Sequence, residues 1–218
     1  MTALDITGSL TNAHFVVRKY ADDLRGAIDH LPITQIANAI ELIVSVLEQG
    51  QTVFIVGNGG SATTAQHMAA DICSAWNDLG RNGSVNCLND NVARWSALVN
   101  DYGPDEAFAG QLRLLARPGD LLITISVSAE SSNLLAALYT ARASGLRTLS
   151  LAGRNGRVAD LADLSVEVGD GDYGLSEDLH LLFSHCLVRY LRGGRHRYHE
   201  QAKHFGEDES ITCAVSSQ

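Results

Sequence analysis

An α/β fold built on a doubly wound parallel sheet is predicted, and two observations predict it. Thr52-Val53-Phe54-Ile55-Val56 is a continuous apolar, β-branched run closed by glycines, the pattern of a strand buried on both faces. Strand-like runs recur at 84–88, 120–126, 146–151 and 164–168, and helical stretches separate them. Such alternation calls for right-handed crossovers between parallel strands. Sheets of this class bind ligands just beyond the carboxyl ends of their strands.

The first fifty residues read as two helices. Phe15, Val16, Tyr20, Leu24 and Ile28 give one apolar stripe, and Ile33, Ile36, Ile40, Ile43, Val44 and Leu47 give another. Leu31-Pro32 breaks them apart and Gly50 ends the second. Two helices ahead of the first strand cannot both be crossovers, so part of their apolar surface is expected against a partner subunit. Between the strands, helices are predicted at 61–76, 92–99, 105–116, 131–143 and 156–162, with a last one from about Leu175 to Leu191. Beyond Gly193-Gly194 the chain turns polar and histidine-rich (Arg195, His196, His199, His204), then acidic and small. One domain over residues 1–194 is expected, followed by a solvated tail at 195–218 that is disordered from 207 onward. No internal repeat is evident.

Hydrophobic residues make up 45% of the 218 and charged residues 19%, an ordinary globular balance. The net charge is −9 with no basic run, which argues against a nucleic-acid partner held by a broad cationic face. An acidic protein that binds phosphate must supply positive potential locally, from backbone N–H groups, a metal or a few arginines. The four cysteines are scattered, and Cys73, Cys87 and Cys186 lie in apolar segments, where they read as small buried hydrophobes. The first eleven residues lack a basic start followed by an apolar core, so no signal peptide is expected. No apolar run approaches the roughly 20 residues that span a bilayer. A cytoplasmic protein is expected, with no membrane partner.

Two strand–helix junctions carry the chemistry. Gly57-Asn58-Gly59-Gly60-Ser61 follows the first strand. Glycines there permit positive φ and close backbone approach, and the next helix offers unpaired N–H groups to an anion. Ser61 is expected to cap that helix and to offer its hydroxyl. The second junction, Ser126-Val127-Ser128-Ala129-Glu130-Ser131-Ser132-Asn133, concentrates four serines where strand and helix interiors disfavour them. Hydroxyls and amides together form a nest that holds a dianion without lysine. Capping alone explains one or two of the serines.

A third group consists of titratable residues on two helices. His67 and Asp71 are four apart and share a helical face. The last helix carries Glu177, His180 and His185; Glu177 and His185 lie about two turns apart and roughly 80° out of line, bordering one broad face.

Asn58-Gly59-Gly60-Ser61, the Ser126, Ser128 and Ser131 pattern, and Asn100-Asp101-Tyr102-Gly103 resemble the sedoheptulose 7-phosphate isomerases (phosphoheptose isomerases) of the sugar isomerase (SIS) superfamily. The likeness runs from about Thr11 to Leu191. It implies a three-layer α/β/α SIS domain with a five-stranded sheet and two N-terminal helices. It also implies a homodimer or, by preference, a homotetramer with active sites at subunit contacts. Carried over, the metal ligands are His67, Asp71, Glu177 and His185, and the acid–base pair is Asp71 and His185. The implied metal is zinc, though aspartate and glutamate ligands would also suit manganese or iron. Sugar-phosphate contacts fall to Asn58, Gly59, Gly60, Ser61, Asp90, Asn100, Asp101, Ser126, Ser128, Ser131 and Glu177. His180 is left as a supporting, structural residue.

The chain departs from the family pattern. Asp71 replaces a glutamate, shortening the reach by one methylene, and Glu177 replaces a glutamine, adding a negative charge to the ligand set. Ala129 and Glu130 stand where glycine and asparagine are usual, and Glu130 beside a phosphate is unfavourable unless it points outward. Asp90 is one residue out of register with the family's sugar-binding aspartate. The expected activity is aldose–ketose isomerisation of sedoheptulose 7-phosphate to a glycero-manno-heptose 7-phosphate through an enediol. Two other readings stay open: a non-catalytic SIS protein that binds a phosphosugar or the replication initiator, and an isomerase of another sugar phosphate.

Overall fold

The structure, a computed structural model, describes residues 12–81 and 83–194. Two helices come first, α1 (Ala13–Asp29) and α2 (Ile33–Glu48), separated at Pro32. Strands and helices then alternate: β1 (Thr52–Gly57), α3 (Gly60–Asp78), β2 (Ser84–Cys87), α4 (Val92–Tyr102), α5 (Glu106–Leu115), β3 (Leu121–Ser126), α6 (Ser132–Ala143), β4 (Arg147–Ala152), α7 (Arg157–Leu161), β5 (Leu164–Glu167) and α8 (Tyr173–Leu191). The strands form one five-stranded parallel sheet in the order β2-β1-β3-β4-β5. Strand order reverses between β1 and β3, so the crevice beyond their carboxyl ends is the topological switch point.

Alternation along the strands feeds two cores. Val53, Ile55, Leu121, Ile123, Leu149 and Val166 pack with α2, α3 and α8. Phe54, Val56, Leu122 and Ala152 pack with α5, α6 and α7 on the other face. All six residues of β3 are buried, which is why its run is apolar but for Thr124 and the terminal Ser126 rather than alternating. The buried Asp120 carboxylate fixes the strand register: Oδ1 accepts from Thr52 N and Oδ2 from Arg117 N, both at 2.8 Å.

Helix α1 lies outside this arrangement. None of its residues is buried, and Phe15 and Val17 are 61% and 69% exposed. Only Leu24 and Ala27 touch the core, while the Tyr20 hydroxyl donates to Asp178 at 2.7 Å. No single helix among the described residues is long and apolar enough to cross a membrane. Cys87 is buried as expected and Cys186 partly so, but Cys73 is exposed: it lies over the edge strand β2, where its thiol reaches the Val85 carbonyl at 3.8 Å. The readings made for residues 1–11 and for the tail at 195–218, with Cys213 and the tail histidines, fall outside the described residues.

Candidate active site

Both glycine- and serine-rich junctions flank the switch point, because one follows β1 and the other follows β3. At the first, the chain passes so close to itself that a methyl on Gly57 would overlap the Ser61 backbone carbonyl. Gly59 caps α3 at φ +56°, a left-handed conformation natural to glycine. Ser61 is therefore not the cap that the sequence led us to expect. It falls in the first turn, 4% exposed, because the glycine has already turned the chain. Asn89, just past β2, clamps this junction: its amide accepts from Gly57 N at 3.2 Å and donates to Gly57 O at 2.9 Å. Sequence reading missed Asn89; the only signal was an amide side chain at a strand's carboxyl end.

At the second junction the serines divide their work. Ser126 Oγ accepts from Ala129 N at 3.1 Å and Ser128 Oγ accepts from Glu130 N at 3.4 Å, which leaves each O–H proton able to donate to an anion. Ser131 stands at the N-cap of α6 with no side-chain capping bond. Ala129 holds φ +54°, a strained conformation for an alanine and the reason glycine is usual there. Glu130 does point away. Its carboxylate accepts from Arg157 Nε at 2.7 Å and Arg157 N at 3.2 Å, and that partnership holds it below the usual carboxylate range. Arg154 Nε donates to the Ser128 carbonyl at 3.3 Å, bringing a cation to the junction. The two junctions are joined directly: Asn58 and Asn133 exchange two side-chain hydrogen bonds, each 2.9 Å.

Helix α3 leads from the first junction to His67 and Asp71. One turn apart on its exposed side, His67 Nε2 and Asp71 Oδ2 are 3.2 Å apart. Helix α8 packs along α3 and brings His185 beside them, with ring centroids 5.6 Å apart and planes at 71°. One ligand atom from each of His67, Asp71 and His185 lies within 4.8 Å of the others. Two imidazoles and a carboxylate at that spacing suit a divalent ion such as zinc with a position left for substrate. Glu177 stands apart from this trio. Its carboxylate rests against Gly60, where the positive end of α3 attracts it, and a methyl on Gly60 would overlap it. Thus the structure gathers three of the four ligands the resemblance implies.

The remaining sugar-binding candidates are peripheral in this chain. Asp90 is exposed beyond β2, and Asn100 and Asp101 form the exposed last turn of α4, where Asn100 Nδ2 donates to Asp101 Oδ1 at 2.9 Å. Neither Asp90 nor Asp101 joins the trio.

The SIS domain family model matches residues 19–153. A phosphoheptose isomerase of Helicobacter pylori (strain P12) is 35% identical over 193 residues, covering 88% of this chain and 97% of that relative. Two solved phosphoheptose isomerases, from Neisseria gonorrhoeae and Francisella tularensis, match with TM-scores of 0.74 and 0.75 at 28% and 27% identity. They cover 83% and 84% of this chain and 98% and 99% of their own. Likeness of this extent, over the whole sheet and both flanking helices of the cluster, means that the chain belongs to the SIS-domain phosphoheptose isomerase family and is a sugar-phosphate isomerase.

Proposed function

We propose that this isomerase converts sedoheptulose 7-phosphate to a glycero-manno-heptose 7-phosphate by moving a proton between C1 and C2. The observation that supports this reading best is the His67–Asp71–His185 trio, formed where α8 brings His185 to the helix that begins at an anion cradle. The cradle (Asn58, Gly59, Gly60, Ser61, Ser126, Ser128 and Ser131) holds the phosphate through amides and hydroxyls. Remote binding of that kind becomes alignment at the reacting carbons.

His67, Asp71 and His185 would hold zinc. When bound, the ion polarises the carbonyl and offsets the charge of the enediolate. Asp71 and His185 form the acid–base pair: one takes the proton from carbon and the other delivers a proton to the neighbouring oxygen. Glu177, resting at Gly60, is better placed to meet the sugar than the metal. Asp90, Asn100 and Asp101 complete the sugar contacts once a second subunit closes the site, and the exposed apolar side of α1 supports a homotetramer. Substrates this charged are held where they are made, which fits a cytoplasmic enzyme.

Metal analysis of purified protein, followed by mass-spectrometric assay on C5 to C7 ketose phosphates, tests the reading. Stoichiometric zinc and aldose formation from the C7 substrate are expected. Turnover confined to a C5 or C6 substrate, or none with any, would overturn it.

A further inference from the structure

Helix α8 turns a polar stripe toward the core. Ser176, His180 and Ser184 recur every fourth residue and so line one side of the helix. They are 0%, 1% and 0% exposed, among the apolar Leu179, Phe183 and Leu187. Both serine Oγ atoms and both His180 ring nitrogens lack a hydrogen-bond partner among the described residues. Ser176 Oγ is wedged where the chain leaves β4 and β5: a methyl on Gly153 or Gly169 would come within 2.7 or 2.6 Å of it. The Ala152 carbonyl, at the end of β4, lies close enough to His180 to oppose part of the downward pull that burial exerts on the imidazole.

Apart from the Ala152 carbonyl near His180, these polar atoms have no partner among the described residues, which is unfavourable on a buried face, and leucine or alanine would pack there without the loss. Buried polar groups that persist are satisfied by protein or by ordered water, and a water needs two or more such partners close together. This helix also carries both Glu177 and His185. On helical geometry Glu177 lies about 60° round from His180, and His185 about 100° round from Ser184. An apolar face tolerates slippage, whereas directional hydrogen bonds do not. A rotation of about 20° would carry a side-chain tip on α8 through about 2 Å. A displacement of about 1 Å at a reacting centre is enough to lower a rate about a hundredfold.

We propose that Ser176, His180 and Ser184 bind internal water between α8 and the ends of β4 and β5, and that this hydrated seam sets the rotation of α8 and so aims His185 and Glu177. The aiming rests on the isomerase reading; the water does not. His180 is a positioning residue, shut away from solvent and from any substrate.

A high-resolution crystal structure of the unmodified protein tests the seam itself. Ordered water within hydrogen-bonding distance of at least two of the four atoms is expected, and a dry seam overturns the proposal. His180→Phe, which keeps a ring and removes both nitrogens, tests the aiming. It should melt no lower than the parent, bind zinc about tenfold or more weakly, and lose about a hundredfold in kcat with KM little changed. His180→Gln, which retains a donor and an acceptor, should recover most of both losses. Unchanged kcat and zinc affinity in His180→Phe would overturn the aiming, as would equal losses in both variants with a lowered Tm. If His180→Phe does not fold, Ser184→Ala, read by the same zinc titration and kcat, tests the aiming, and unchanged values overturn it. If the parent binds zinc without isomerising any sugar, the isomerase reading fails while the zinc titration and the water still judge the seam.

Discussion

At the scale of single residues, substitutions that looked damaging in the sequence are accommodated by their neighbours. Glu130 seemed to set a negative charge beside a phosphate cradle, yet Arg157 draws it outward. That outcome was not legible, because the two partners are 27 residues apart and meet only once α7 is in place. Asp71 keeps its place one turn from His67 despite its shorter arm, since helical spacing alone puts them together. Asp71→Asn should lose about a hundredfold or more in turnover, the usual worth of a positioned acid or base. Equilibrium binding of the sugar phosphate should be retained, and loss of binding alone would make Asp71 structural. His180 sets a pH dependence on the whole protein. Burial pushes its imidazole down to about 4, so the unfolded chain takes up a proton first as pH falls. Its contribution is complete above about 6.5 and is lost on descent toward 4, roughly 3 kcal/mol in all. Urea denaturation across that window should show the decline in the parent and a flatter profile in His180→Phe.

Among elements, legibility tracked the source of the signal. β1 and β3 were plain because strands buried on both faces are mostly apolar and β-branched rather than alternating. The junctions after them were plain because glycine and serine have few other reasons to gather there. Their connection was not: Asn58 and Asn133 are 75 residues apart, and nothing local marks an amide for a distant amide. The paired bonds hold the two halves of the cradle at a fixed spacing. Asn133→Ala removes both, worth about 1 kcal/mol each, so KM should rise by up to about thirtyfold with kcat little changed. A fall in kcat at constant KM would show that the amide pair serves the chemistry rather than the cradle. Glu177 is the converse case. Its position on α8 was read correctly, but the choice between metal and helix N-terminus depends on packing that spacing does not encode.

For the molecule as a whole, the distribution of apolar surface points beyond one chain. Helix α1 buries none of its residues, and Phe15, Val16 and Val17 are 61%, 49% and 69% exposed. A helix whose first apolar residues face solvent while Leu24 and Ala27 rest on the core fits a surface that a second copy covers. The sequence announced this only indirectly, through a helix too many for the crossovers. Phe15→Asp should reduce the mass seen by light scattering and lower activity with it, if the proposed sugar contacts from Asp90 and Asn100 are closed by a neighbouring subunit. Unaltered mass would place the contact elsewhere.

The proposed isomerisation rests on proton transfer between adjacent carbons of a sugar phosphate at the His67–Asp71–His185 cluster. Deuterium incorporation from solvent tests it most directly, with metal-replete protein, sedoheptulose 7-phosphate and detection by mass spectrometry. Uptake of one deuterium at C1 or C2 with the parent, and none with Asp71→Asn, is the result expected. Aldose formed without uptake, or equal uptake with the variant, would contradict it.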